Sequence, residues 1–180
     1  MKLKNVSSNL WNIKKNVMVK DVMSTKVYSL EKTSPVQKAI DMMGNESISA
    51  IVISDDKKPI GIVTERDLIK KVMLPKKDPK KMKIGSIMSE NPKKISPNAT
   101  MLMASNYMKR TNVRKLVVVD DSGKLVGMLS QTDIIQSMNE IYESYKSLLW
   151  NPWYPLWIVF VILILYLFTF ILRIYIKWVL

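Results

Sequence analysis

The apolar and polar positions of this chain fall into a pattern that is written twice. Val36, Ala39, Ile40 and Met43 recur at i, i+3, i+4 and i+7, which predicts an amphipathic helix. Pro35 sits in its first turn, with Thr33 or Ser34 placed to cap it. A β-branched run, Ile48 to Ile53, reads as a strand, "DDKKP" as a polar turn, and Ile60 to Val63 as a second strand leading into another helix. Some 65 residues later the pattern returns. Met101, Ala104 and Met108 give the helix, Leu116 to Val119 the strand and "DDSGK" the turn. A further helix begins at Gln131 and runs to about Leu149, where Asn151-Pro152 and Pro155 break it.

The residues themselves repeat. "VKDVMS" (19–24) aligns with "IGSIMS" (84–89), and "VQKAIDMM" (36–43) with "MLMASNYM" (101–108). "ISAIVISDD" (48–56) aligns with "VRKLVVVDD" (113–121), and "GIVTERDLI" (61–69) with "GMLSQTDII" (127–135). The offset is 65 up to the Asp pairs and 66 after them, one residue having entered the second turn. With a short strand after each V-M/I-M segment, each unit reads β-α-β-β-α, an α/β (α+β) class. One unit of about sixty residues is marginal alone. Two can bury their apolar faces against each other, which predicts an intramolecular pair with approximate two-fold symmetry.

The end of the chain follows neither period. Residues 156–172, LWIVFVILILYLFTFIL, carry no charge and are apolar all round. Starting from Trp153 the run has twenty residues, which as a helix spans about 30 Å, the thickness of a bilayer's hydrocarbon core. Trp150, Trp153, Tyr154 and Trp157 precede it and Tyr175 and Trp178 follow, the arrangement of an interfacial aromatic belt. Arg173 and Lys177 can reach the headgroups beyond. The expectation is a single transmembrane helix at 156–180 that contacts membrane lipid. Before it stand an N-terminal arm (1–16), a first unit (17–75), a linker (76–83), a second unit (84–149) and a juxtamembrane stretch (150–155). The first twenty residues hold no apolar core long enough for a signal peptide.

Composition narrows the chemistry. The chain has neither His nor Cys, so the usual general base, pH switch, thiolate and commonest metal ligand are missing. No Asp-x-Asp-x-Asp loop offers a hard-cation site. An enzyme is therefore not expected. The net charge is +13, and without residues 150–180 there remain 26 basic and 15 acidic side chains, a net +11. Much of that excess lies in "LPKKDPKKMK" (74–83) and Lys93-Lys94. It reads as a solvated connector, as a surface for nucleic acid or another polyanion, or as a contact for anionic lipid.

Thr64-x-x-Asp67 and Ser130-x-x-Asp133 each stand where a strand gives way to a helix. Two readings stay open. A Ser or Thr there is a favoured N-cap, with the acid in the first turn. The same geometry also offers free backbone N–H groups and a hydroxyl to a phosphate, and a carboxylate to the two hydroxyls of a ribose. Phosphate with ribose means a nucleotide.

These ordered motifs over residues 17–142 resemble the cystathionine-β-synthase (CBS) domain, which occurs in tandem as a Bateman module. The resemblance implies a regulatory, non-catalytic protein that binds an adenosyl ligand (AMP, ADP, ATP or S-adenosylmethionine) in the cleft between repeats. It implies that Asp67 and Asp133 bind ribose, and that Thr64 and Ser130, with Thr132 nearby, bind ribose or phosphate. It groups Ser130 and Asp133 with Ser34, Ala39, Ile48, Ser49 and Ala50, and groups Thr64, Arg66 and Asp67 with Ala104, Val113, Arg114 and Lys115. The apolar members would pack on adenine, and Arg66, Arg114 and Lys115 would meet phosphate. It further implies a homodimer and an effector protein of unknown identity that carries the output. A ligand-free dimerisation scaffold at the membrane is the other reading of such a module. Two departures matter. Ala99 stands where the first repeat has Ser34, so a hydroxyl is lost and the two sites are expected to be unequal; and neither Val52 nor Val117 is the proline common in the family.

A nucleotide sensor places residues 1–149 in the cytoplasm, at the cell membrane. Lys146 on the near side of the span against Arg173 and Lys177 on the far side would, by the positive-inside rule alone, place them outside.

Overall fold

The computed structural model describes residues 17–149 and 153–179. The arm 1–16, and Trp150, Asn151 and Pro152 with the break expected there, lie outside the described residues. The chain divides after Gln136 into two units.

The first unit holds the repeats. In repeat one, β1 (Ser29–Leu30) precedes α1 (Val36–Glu46), followed by β2 (Ala50–Asp55), β3 (Lys58–Thr64) and α2 (Glu65–Leu68). The chain goes on from α2 into a π-helical turn, Ile69–Met73, which leaves Met73 and Leu74 exposed. In repeat two, β4 (Ser89–Glu90) and β5 (Lys94–Ile95) precede α3 (Met101–Thr111), followed by β6 (Lys115–Val119), β7 (Leu125–Ser130) and α4 (Gln131–Leu149). The β-α-β-β-α order holds in both repeats, with β4 added ahead of it in repeat two.

Each repeat folds around the stripe its sequence marks. Val36, Ala39 and Met43 of α1 are buried with Leu30, Ile51, Ile53 and Val63. Met101, Ala104 and Met108 of α3 are buried with Leu116, Val118 and Leu129. Ser47 and Asn112 end these helices in the left-handed region, each at φ 53°, and the N–H of each cap returns to the last turn. Strand β1 runs parallel to β2, β2 antiparallel to β3, and β5, β6 and β7 repeat that arrangement. Both hairpins carry an irregularity at equivalent places, Ile53/Ser54 and Val118/Val119. Their turns differ as the shifted offset requires. Asp56 and Lys57 both take positive φ in a two-residue turn. In the longer turn Gly123 sits at φ 78°, and Asp120 Oδ1 accepts from the N–H groups of Ser122 and Lys124 and from the Ser122 hydroxyl.

The repeats also exchange segments. Strand β4, at the start of repeat two, pairs with β3 of repeat one through Gly61↔Glu90 and Ile62↔Ser89. Met23-Ser24, at the start of repeat one, reaches β7 of repeat two, where Ser24 N–H donates to the Met128 carbonyl and Met128 N–H to that of Ser24, both at 3.0 Å. The cores follow suit. Ile84, Ile87 and Met88 are buried with repeat one, while Val19, Val22 and Met23 pack with repeat two. This crossing explains the glycine that opens each "GIVT"/"GMLS" motif. A Cβ on Gly61 would stand 2.5 Å from Met88 Sδ, and one on Gly127 2.5 Å from Met23 Sδ.

Two expectations change. Neither Thr33 nor Ser34 caps α1. Pro35 holds the cap position without a side-chain hydrogen bond. The N–H groups of Val36 and Gln37 donate instead to the carbonyls of Met82 (2.9 Å) and Pro79 (3.1 Å), so the end of the lysine-rich linker does the capping. In α3, Thr100 is a side-chain cap, its hydroxyl accepting from Met103 N–H at 3.2 Å, and Met101 N–H donates to the Val17 carbonyl.

In the second unit, α4 continues to Leu149, and α5 (Trp153–Val179) follows. Pro155 lies in the first turn of α5 rather than before it, where a missing N–H costs no intrahelical bond. Leu156–Ile176 is long and apolar enough to cross a membrane, with mean hydropathy 2.6 and none of it buried.

Candidate functional site

Both Ser/Thr-x-x-Asp motifs fall where the sequence places them, at the ends of β3 and β7. At the first junction Thr64 has extended backbone and α2 starts at the next residue. The Thr64 N–H donates to Asp67 Oδ2 at 3.0 Å, and the Thr64 hydroxyl donates to the same oxygen at 2.7 Å. Asp67 N–H points back at Thr64 Oγ1, 3.4 Å away. This is a reciprocal capping box, so the structural role of the motif is present in full. The second junction is built alike. Ser130 N–H donates to Asp133 Oδ2 at 2.7 Å, and Asp133 N–H to Ser130 Oγ at 3.2 Å.

One residue separates the two. Lys71, one turn beyond Asp67, places Nζ 2.9 Å from Asp67 Oδ1 and 2.6 Å from the carbonyl oxygen of Ile87. Burial is the largest single influence on the Asp67 carboxyl and pushes its pKa up. The Lys71 ammonium and the Thr64 hydroxyl and N–H together outweigh it, and the net position is below the usual carboxylate value. Lys71 lies outside the repeated Ser/Thr-x-x-Asp motifs and has no counterpart charge in the second repeat. Its spacing of i+4 from an acid was the available signal.

Pairing in the sheets brings the other candidates to these junctions. Ala50 lies opposite Thr64 in the β2–β3 ladder, and Glu65 N–H donates to the Ser49 carbonyl at 3.3 Å. Lys115 lies opposite Ser130, and Gln131 N–H donates to the Arg114 carbonyl at 3.0 Å. Thus Ser49 and Ala50 stand beside Thr64, and Arg114 and Lys115 beside Ser130, each within its own repeat. Among the described residues, no hydrogen bond or ion pair joins Thr64 or Asp67 to Arg114 or Lys115, or Ser130 or Asp133 to Ser34, Ser49 or Ala50. Ile48 and Val113 are half-buried, each two residues before the start of its strand. Ala39 and Ala104 have no accessible surface, being packed in the two cores. Ser34 is half-buried, and its carbonyl accepts from Ile84 N–H at 2.8 Å. Arg66, Thr132 and Arg114 are exposed, whereas Lys115 is half-buried. Each junction therefore presents a carboxylate and a hydroxyl at the close of a strand, with Lys71 paired to the carboxylate and Arg66 next in sequence at the first, and Arg114 and Lys115 where the neighbouring strand begins at the second.

Comparison with known proteins locates this arrangement. The model of the CBS domain matches residues 19–74 and 84–140. An uncharacterized protein of Methanopyrus kandleri is 36% identical over 107 residues, which cover 57% of this chain and 55% of that protein. The chain thus spans about half the length of that relative. Among solved structures, a protein with CBS domains from Burkholderia ambifaria superposes with TM-score 0.59 at 31% identity, covering 63% of this chain and 83% of that one. CBSX2 in complex with AMP gives TM-score 0.62, covering 71% of this chain and 99% of that one; at 21% identity the likeness is one of fold.

Proposed function

The chain belongs to the CBS domain family, and from that premise we propose that it is a membrane-anchored regulatory module that binds an adenosine-type nucleotide and passes the binding event to a partner protein. The ligand class is AMP, ADP, ATP or S-adenosylmethionine. The observation that carries the reading is the pair of junctions at Thr64–Asp67 and Ser130–Asp133, each offering a diol-binding carboxylate beside a hydroxyl. Arg66, Arg114 and Lys115 are the cations for phosphate. A protein of the same fold has been solved with AMP, which supports the ligand class.

Regulation follows from differential affinity. A ligand shifts a conformational equilibrium only by binding one state more tightly, and couplings of this kind are commonly about 1–3 kcal/mol. The exchanged segments give such a signal a route, since Ile84–Glu90 and Val19–Ser24 each belong to one repeat by sequence and to the other by packing. The output passes to an effector, with a second copy of the chain as the expected first partner. The apolar helix Leu156–Ile176 supplies the anchor. The nucleotide-binding part then faces the cytoplasm, where the ligand is.

The test is calorimetric titration of the full chain in detergent micelles with AMP, ADP, ATP and S-adenosylmethionine at two salt concentrations. Saturable binding of one of them, largely insensitive to salt, is expected. A protein that melts cooperatively and takes up none of the four refutes the reading. Steeply salt-dependent binding of oligonucleotides alone would mark a polyanion surface instead.

A further inference from the structure

We propose that Lys71 holds the first junction closed, so that nucleotide enters at Ser130–Asp133 alone until that lysine is released. The proposal rests on the reading that an adenosine-type nucleotide binds at these junctions, and it specifies how one of them is regulated.

The two junctions differ in what remains free. A cis-diol is gripped by a carboxylate when one hydroxyl meets each oxygen, and each oxygen accepts about two hydrogen bonds. Asp67 Oδ2 already accepts two, from the Thr64 N–H and the Thr64 hydroxyl. Oδ1 is held by the Lys71 ammonium at 2.9 Å. A diol hydroxyl can enter at Oδ2 once the Thr64 hydroxyl, a free rotor, turns away, but at Oδ1 it has to share the oxygen with an ammonium that is held at both ends and crowds that side of the carboxylate. Asp133 Oδ2 accepts only from the Ser130 N–H, and Oδ1 has no partner among the described residues. Both of its oxygens can take a hydroxyl at once.

The hydroxyls differ in the same sense. The Thr64 O–H is spent on Asp67. Among the described residues Ser130 Oγ only accepts, from Asp133 N–H, so its proton can donate to a ribose or phosphate oxygen. Position 137, which corresponds to Lys71 in the second repeat, is a serine and brings no charge.

Lys71 is not a loose surface cation. Its second contact, 2.6 Å to the carbonyl of Ile87, ties it to the segment that repeat two lends to repeat one. The Asp67 side chain is only 15% exposed while that of Lys71 is 40% exposed, so solvent screens the pair in part and the Ile87 carbonyl is what fixes the ammonium in place. Unless it lets go of the Ile87 carbonyl as well, Lys71 can leave Asp67 only as far as that second bond allows. An event at the crossover between repeats would be felt at Asp67.

The experiment is AMP titration of the full chain in detergent by equilibrium dialysis. The expected stoichiometry is one AMP per chain. Asp133→Asn should weaken binding about 10- to 100-fold, the scale of losing hydrogen bonds to a charged group. Lys71→Met should raise uptake to two, while Lys71→Arg, which keeps a cation there, stays at one. The double variant Lys71→Met/Asp133→Asn should retain one AMP, now at the first junction. A readout without ligand runs beside these: the carboxyl 13C titration of Asp67 should move to higher pH in Lys71→Met. Two AMP bound by the parent chain, or Asp133→Asn binding as the parent does, overturns this proposal and leaves the nucleotide reading standing. AMP bound by neither the parent nor Lys71→Met overturns both.

Discussion

Replacing Gly61 by alanine adds one carbon where the repeats cross. In the structure that carbon would lie 2.5 Å from Met88 Sδ, 3.0 Å from its Cγ and 3.2 Å from its Cβ. Carbon atoms normally rest about 3.5–4.0 Å apart. The sulfur can swing aside, since methionine has three rotatable bonds. The Cβ contact cannot be relieved that way, because pairing of Glu90 with Gly61 and of Ser89 with Ile62 fixes the Met88 backbone. Either β4 shifts or the Met88 side chain leaves a rotamer well. Overpacking of this kind costs about 1–3 kcal/mol. The alanine also restricts the unfolded chain, which returns about 0.4–1 kcal/mol. The net expectation is a loss of about 1–2 kcal/mol. At about 2–4 °C per kcal/mol for a domain of this size, Tm should fall by about 2–8 °C. Thermal melts followed by circular dichroism measure it, and hydrogen exchange should show faster exchange at Asn91, whose N–H bonds to the Ile60 carbonyl. A thermodynamic cycle isolates the cause. Met88 is 9% exposed, so Met88→Ala alone should cost about 2–5 kcal/mol. With both changes the added methyl occupies part of the space vacated, and the pair should cost at least about 1 kcal/mol less than the sum. Additivity within about 0.5 kcal/mol, or a Gly61→Ala protein more stable than its parent, would refute the packing argument.

Two other expectations concern charge and lipid. Because the Asp67 pKa is lowered on folding, its interactions stabilise the protein above the unfolded carboxyl value of about 3.9, and that stability is lost as pH falls through the lower folded value. Denaturation of the parent and Lys71→Met between pH 7 and pH 2 should give curves that differ at neutral pH and converge in acid; a constant gap throughout would contradict the ion-pair reading. Removal of residues 153–180 should move the protein from the alkali-resistant membrane pellet to the supernatant, while the full chain in the supernatant would count against α5 as an anchor.

The sequence carried the repeat, the order of elements and both helix stripes because these are local. Alternation and 3.6-residue spacing are set by which face of each element meets its own core. The exchange of "VMS" and "IMS" between repeats was not legible. Each is short and apolar, and nothing within six residues says which of two near-identical sheets it will join. The cap of α1 was misassigned for a related reason. Ser34 has the right chemistry, but Pro79 and Met82 supply carbonyls from more than forty residues away. At the site, the Thr/Ser and Asp positions were legible as a strand-to-helix junction. Their inequality was legible only as the hydroxyl missing at Ala99, because the rest depends on which oxygen each hydroxyl faces. Ala99 in place of a serine marks one difference in the sequence itself, and the Lys71–Asp67 pair adds another that only the folded chain shows.

Crossing the two segments orders events during synthesis. The sheet of repeat one can form three strands once Thr64 has emerged, but its fourth strand and the Ile84, Ile87 and Met88 side chains arrive only some twenty-five residues later. At about 5–20 residues per second that is a delay of about 1–5 seconds with an apolar edge uncovered. Met23 waits longer, since its seat beside Gly127 is made about a hundred residues after it. A segment made before the first sheet is thus placed after it. A chain halted between the repeats would carry one open sheet edge and one unplaced strand, complementary to those of any second halted chain beside it.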